Sequence, residues 1–330
     1  MTKKELSLRF IRRFSITKKI YKSLLLKKLS TNAQIKTFNE KYLNFTLKEK
    51  EIFHGLSARL FYDDYHLKDI NVNWKLNFCD KIIKIPLETD FLKIDWHTAV
   101  SVIGTDVEVK AFYKNIICSD FKPKYFFDIG ANFATHSMLF LLNDVKAISF
   151  EPNSNCHGFA NKIAKVNNLN LEIESIGLGR ESDNLDLVFP KNDTGLGSIT
   201  GTHILEKNKD NDLEIINITV KKLDDYISEK NIIPDLIKID TEGHEYEVFK
   251  GAKQTLIDNS MMIVFESVEF EKRKQIFELL GNIDYQIYDL KNLNKPIIDQ
   301  GSFYAHSGIN FLCLRKDHPA IPTIKTFTVY

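Results

Sequence analysis

The sequence predicts an α/β protein: a doubly wound, mostly parallel sheet of seven strands behind a mainly helical, mixed N-terminal region. Three observations carry this. From Lys124 onward, short apolar runs alternate with helical patterns, the rhythm of a parallel sheet covered on both faces. Polar turns, most with a glycine, follow the apolar runs at 128–132, 151–153, 176–179 and 240–245. The last two apolar runs, 285–290 and 309–316, have no helical pattern between them, so they are expected to pair antiparallel.

Residues 1–30 stand apart. Lys3, Lys4, Arg9, Arg12, Arg13, Lys18, Lys19, Lys22, Lys27 and Lys28 are basic, and Glu5 is the only acid. Phe10, Phe14, Tyr21 and Leu25 fall at roughly helical spacing. Leu24, Leu25 and Leu26 spread the apolar face, which favours a helix packed on its own domain. The basic flank also suits peripheral contact with an anionic membrane. Residues 33–56 read as helix, and 77–87 and 91–96 as short strands. Residues 1–120 form an expected cap region, and 121–330 the second domain.

In that second domain the strands are 125–130, 146–152, 171–179, 234–240, 261–269, 285–290 and 309–316. The helices are 135–142, 156–168, 245–257 and 271–281.

Composition narrows the function. The chain has 330 residues, 43% hydrophobic and 27% charged, the balance of a globular protein with a real core. A net charge of +1 argues against nucleic acid as a partner. Cys79, Cys118, Cys156 and Cys313 are scattered without zinc spacing, which reads as reduced thiols and a cytoplasmic setting. No apolar run is long enough to span a bilayer, and the basic N-terminus lacks a signal-peptide core.

In open α/β sheets the ligand sits beyond the carboxyl ends of the strands. The first strand ends in "DIGAN", where Gly130 permits a tight turn and Asp128 supplies an acceptor. Glu151 follows Gly130 by about 20 residues, the spacing of an acid that accepts from ribose hydroxyls. A pyrophosphate wants several glycines and an uncluttered helix N-terminus. Here Ala131, Asn132, Phe133 and Ala134 fill that space, so a sulfonium nucleoside is favoured over NAD. Gly177 ends the third strand on the adenine side. The fourth ends in "LIKIDTEGHE", which gathers Asp240, Glu242, His244 and Glu245 as candidates for a general base or a metal site. The fifth ends in Glu266-Ser267. The loop 192–203 reads as a lid or a plain connection, with Ser198 and His203 its testable polar groups. His306 and Asn310 lie near the last strand.

"FFDIGAN", "ISFEPN", "VKKLDDYI", "LIKIDTEGHEYEVFKGA" and "IVFES" together resemble the FkbM family of methyltransferases over roughly residues 120–315. The resemblance implies a class I, S-adenosylmethionine-dependent O-methyltransferase acting on sugar or polyketide hydroxyls. It places Asp128, Gly130 and Asn132 at the methionine end of the cofactor, Glu151 at the ribose and Gly177 by the adenine. Asp240 and Glu242 would border the methyl-transfer site. One departure stands out: the family reads DIGANxG, and Ala134 holds the second glycine position, where a methyl group is expected to narrow the pocket.

The expected cofactor contacts are therefore Asp128, Gly130, Asn132, Glu151, Gly177, Ser198 and Asp240. The expected base is Asp240 or Glu242, with His244 next. The expected partner is a small-molecule or glycan acceptor, including a lipid-linked saccharide; a homo-oligomer is also allowed. The alternatives are an NAD-dependent oxidoreductase or sugar epimerase, and a non-catalytic binding protein on the same sheet.

Overall fold

The structure, a computed structural model, describes residues 15–62, 67–190 and 213–328. The chain divides into two compact units, residues 1–114 with 162–168, and 115–161 with 169–329.

The first unit opens with α1 (Ser15–Lys27), α2 (Asn32–Leu43) and α3 (Leu47–Ser57). Residues 1–14 of the basic segment lie outside the described residues. Leu25, Leu26 and Leu29 are buried, as expected of a helix packed on its own domain, while Ile20 and Leu24 stay exposed. Thr46 and Glu49 form a reciprocal cap at the start of α3, which satisfies two N–H groups that the first helical turn leaves unpaired.

Strands β1 (Asn71–Phe78) and β2 (Lys81–Glu88) form an antiparallel hairpin. Cys79 and Asp80 both take positive φ, the conformation a two-residue hairpin turn demands. Strict alternation along β1 turns Trp74 and Leu76 inward. There the Trp74 ring meets Tyr42 and Trp96, each at 5.0 Å. Where a short strand was expected at 91–96, the chain instead enters α4 (Leu92–Gly104), followed by α5 (Val107–Ile117). Leu92, Trp96, Ala99, Val100 and Ile103 recur at helical spacing and are all buried. That period extends beyond the six residues read as strand.

The second unit runs in chain order through β3 (Tyr125–Ile129), α6 (Thr135–Leu141), β4 (Lys146–Phe150), α7 (Ser154–Asn167, of which residues 162–167 count with the first unit) and β5 (Glu172–Glu174). Next come β6 (Gly177–Leu178), β7 (Asp183–Pro190), β8 (Leu213–Lys221), α8 (Leu223–Lys230) and β9 (Leu236–Ile239). Then follow α9 (Glu245–Gly251), α10 (Lys253–Asp258), β10 (Met262–Glu266), α11 (Phe270–Gly281) and β11 (Tyr285–Asp289). The unit finishes with β12 (Asn292–Ile297), α12 (Gln300–Tyr304), β13 (Asn310–Arg315) and α13 (Ile321–Ile324).

The main sheet has the order β12-β11-β13-β10-β9-β3-β4-β5. From β10 to β5 all pairings are parallel, and β13 enters antiparallel between β10 and β11. Strands β3, β4, β9 and β10 are buried almost without a break, as a sheet covered on both faces requires. The seven expected strands are present, and β12 adds an eighth at the edge through a hairpin with β11. A short helix, α12, separates β11 from β13, where none was expected.

Two further differences bear on the site. The third strand ends at Glu174, and Gly177 opens β6 in a separate sheet ordered β6-β8-β7. Strands β7 and β8 were not foreseen. After β3 the chain steps outward to β4 and β5, then returns to β9 on the other side of β3. The carboxyl ends of β3 and β9 thus form the switch point.

Candidate active site at the sheet switch point

The turn after β3 is built by close backbone approach. The N–H groups of Gly130 and Ala131 both donate to the Phe150 carbonyl, at 3.0 and 3.1 Å, and Asp240 N–H donates to Ile129 at 3.0 Å. Gly130 has φ +78°, and a Cβ there would lie 1.8 Å from the Asp240 carbonyl oxygen. Only glycine lets the ends of β3 and β9 come this close. Asn132 and Ala134 follow with φ +49° and +53°. Ala134 is fully buried and does not line the pocket, so it does not narrow it as expected. The family's glycine position is one where the backbone must turn left-handed.

A pocket opens over this turn. Its wall includes Gly130, Asn132, Glu151, Asn153, Gly177 and Asp240, together with Thr241 and Glu242. Leu178 and Leu187 add an apolar side from β6 and β7. Glu151 clamps the two loops: its carboxylate accepts from Asn132 N–H at 2.7 Å and from Asn153 N–H at 2.8 Å. Burial pushes its carboxyl up to about 7 against the pull of those two donors. Asn132 Oδ1 and Asn153 Nδ2 are buried without a hydrogen-bond partner, and Asn153 is only 1% exposed. Unmet polar atoms of this kind are costly unless a ligand meets them.

Asp240, Glu242 and Glu266 form the acidic corner, with carboxylate oxygens within 4.8 Å of one another. Lys238, buried in β9 between Asp128 on one neighbouring strand and Val264 on the other, donates to Asp240 at 2.7 Å. Its ammonium brings a positive charge into this acidic corner. Burial alone would pull Lys238 down, but the Asp240 and Asp128 carboxylates hold it above its ordinary value. Glu266 lies with its carboxylate within 4.8 Å of those of Asp240 and Glu242. Burial, then the charges of Asp240 and Glu242, push its carboxyl far above the usual range.

Other expected site residues lie elsewhere. Asp128 is fully buried beneath the turn and does not line the pocket. Its Oδ2 accepts from Ser137 N–H at 3.1 Å and Ser137 Oγ at 3.0 Å, which caps the first turn of α6. His244 is also absent from the pocket wall. It is buried against Gly179, and burial lowers its pKa, so it stays neutral. Glu245 braces the loop instead, accepting from Thr241 N–H, Thr241 Oγ and Gly243 N–H, each at 3.0 Å. Asn310 stands opposite Glu266 across β10 and β13. His306 faces Asp289 at 3.7 Å in a different pocket. Ser198 and His203 lie outside the described residues.

Asn153 in the pocket wall, and Lys238 beneath it, were not expected from the sequence. A lysine inside the apolar run "LIKI" was the available signal for Lys238, since a buried ammonium demands an anion.

Sheet order, switch-point turn and acidic corner define an α/β protein with a pocket at the switch point of its sheet. Residues 128–294, half of the chain, match the Methyltransferase FkbM domain. The chain belongs to the FkbM family of methyltransferases, which use S-adenosylmethionine. No curated protein matches it. Among solved structures it is similar to the methyltransferase FkbM from Methylobacillus flagellatus KT, at 14% identity and TM-score 0.37. That match covers 69% of this chain and 56% of the other, so the chain spans little more than half of that protein's length. It is also similar to a precorrin-6y C5,15-methyltransferase from Geobacter metallireducens GS-15, at 14% identity and TM-score 0.37, covering 65% and 89% of the two chains. A SAM-dependent methyltransferase from Agrobacterium tumefaciens matches at 8% identity and TM-score 0.40, covering 76% and 72%.

The pocket's residues fit this cofactor. Asn132 Oδ1 is an unmet acceptor for an ammonium or hydroxyl, and Asn153 Nδ2 an unmet donor. Among the described residues, no helix is long and apolar enough to cross a membrane.

Proposed function

We propose that this protein is an O-methyltransferase that methylates a hydroxyl of a sugar, glycan or lipid-linked saccharide. The observation that carries the reading is the placing of Asp240 and Glu242 in the wall of the same pocket as Gly130 and Glu151. Gly130 and Asn132 would hold the amino-acid end of the cofactor, Glu151 the ribose, and Gly177 with Leu178 and Leu187 the adenine side. Bound S-adenosylmethionine supplies an activated methyl group. The protein's own part is to hold the acceptor oxygen in line with that group and to exclude water. Asp240 or Glu242 takes the hydroxyl proton, a step typically worth about 10²–10⁴-fold.

The test is an Asp240→Asn, Glu242→Gln double variant. At saturating S-adenosylmethionine, with cofactor binding checked by calorimetry, it should lose turnover by about 10²-fold or more with any glycan acceptor that the wild type methylates. Normal turnover in that variant would remove the proposed base.

Peripheral membrane contact belongs to the same reading. Ile20 and Leu24 are exposed one turn apart on α1, among Lys18, Lys19, Lys22 and Lys27. Such a face suits an anionic bilayer, at about 1 kcal/mol per lysine near the surface. Deleting residues 1–30 should abolish co-sedimentation with vesicles containing anionic lipid; unchanged sedimentation would remove the membrane from the proposal. A homo-oligomer remains part of the proposal, to be read from the mass in solution.

A further inference from the structure

We propose that the cavity between the β11–β12 hairpin and α12 is a saccharide subsite, which holds one sugar ring of the acceptor away from the ring that is methylated. The inference rests on the glycan reading above and deepens it: the acceptor is an oligosaccharide rather than a single sugar.

Sheet register places the cavity. Asp289 pairs with Phe311, Phe311 with Phe265, and Phe265 with Ile239, the residue before Asp240. Asp289 therefore ends β11 at the same sheet edge as the pocket over Gly130 and Asp240, three strand spacings along, about 14 Å. One sugar ring does not reach that far, and a short chain of them does. The cavity measures about 310 Å³, within the range of small-molecule sites. Asp289, Asn292, Lys295 and His306 stand in its wall, with Ile297 and Ile298 as an apolar side.

The chemistry of the wall selects the ligand. His306 Nδ1 accepts from Gly308 N–H at 3.0 Å, so in the neutral ring the proton is on Nε2. That nitrogen stands 3.7 Å from Asp289 Oδ2, too far for the two to satisfy each other. A donor and an acceptor held side by side in this way match adjacent hydroxyls of a sugar ring: one accepts from Nε2, and its neighbour donates to Oδ2. Both groups are fixed before a ligand arrives. Asp289 Oδ1 accepts from Lys291 N–H at 2.9 Å, and the His306 ring packs edge-on against Phe311 at 5.5 Å. Such preorganisation lowers the cost of binding. Asn292 and Lys295 add polar groups for further hydroxyls. Ile298, 84% exposed, offers an uncovered apolar surface to the C–H face of the ring. A phosphate fits this wall less well, because the Asp289 carboxylate faces it.

An array of defined oligosaccharides, probed with the full chain saturated with S-adenosylhomocysteine, tests this against Asp289→Ala and Ile298→Asp. The wild type should bind a subset of the chains, and each variant should bind that subset about tenfold more weakly or worse. Affinity for S-adenosylmethionine, by calorimetry, should be the same in all three proteins. Ile298→Asp alters only an exposed side chain, so the test stands even if Asp289→Ala fails to fold. Unchanged glycan binding in either folded variant overturns the subsite and leaves the methyltransferase reading in place. A wild type that binds S-adenosylmethionine and no oligosaccharide overturns the subsite together with the glycan part of that reading.

Discussion

At the scale of single residues, Ala134 carries strain that its sequence position concealed. A left-handed alanine costs about 1–2 kcal/mol over glycine, and glycine's greater freedom when unfolded returns part of that. Ala134→Gly should therefore stabilise the protein by about 1 kcal/mol, read as a higher denaturant midpoint. A lower midpoint would mean that the buried methyl's packing outweighs the strain. Asp128 leads to an opposite expectation. Its carboxylate caps α6 through Ser137, so Asp128→Ala should cost about 2 kcal/mol of unfolding free energy. Asp128→Asn keeps an acceptor and should recover most of it; an equal loss in both variants would argue against the capping role.

At the scale of elements, the joint between β10, α11 and α12 depends on Arg273. Its fully buried guanidinium donates to four backbone carbonyls and lies over the rings of Phe270, Phe303 and Phe311, at 4.7, 5.6 and 5.1 Å. No lysine reproduces that fork, so Arg273→Lys should lower stability by about 3 kcal/mol. A thermal melt indistinguishable from the wild type would refute this. Nothing in "EKRKQIFELLG" marks Arg273 apart from its neighbours, because its partners are carbonyls brought in from residues 267 and 303–308. The helix around it was legible, since its apolar residues keep the 3.6 period. Strands β7 and β8 were not foreseen although their pattern is present: Ile216, Ile218 and Val220 alternate along β8, as Leu185, Leu187 and Phe189 do along β7, and the two sets pack into one cluster.

At the scale of the whole molecule, stability should depend on pH through buried carboxyls. Asp95 is fully buried, with Oδ1 unpartnered and Oδ2 accepting from Glu88 N–H at 2.7 Å. Burial pushes it up to about 7, against the pull of that hydrogen bond and of Lys162. A carboxyl raised on folding contributes stability that is complete below its unfolded value and lost as pH rises through the folded one. Wild-type stability should therefore fall from about pH 4 to about pH 8 on account of this group. His244, lowered by burial, opposes the trend by losing stability as pH falls through its own folded value. Asp95→Asn removes the carboxyl contribution and should exceed the wild type by about 2 kcal/mol at alkaline pH, with little difference near pH 4. Parallel stability curves for the two proteins would contradict the assignment.

The sequence by itself determined what depends on neighbours in the chain. The alternation of buried strands and helices is local, as are the turn at Gly130, the acid at Glu151 and the acidic run after β9. Periodicity and turn chemistry report such features without reference to distant residues. Only the tertiary structure decided which of these groups share a pocket. It turned Asp128 down to cap a helix and His244 away beside Gly179, and it joined Glu266 and Lys238 to Asp240. The reason is that strand order in a parallel sheet is set by crossover connections and by burial of both faces. Side chains more than a hundred residues apart, such as Asp128 and Lys238, therefore become neighbours that no local pattern announces.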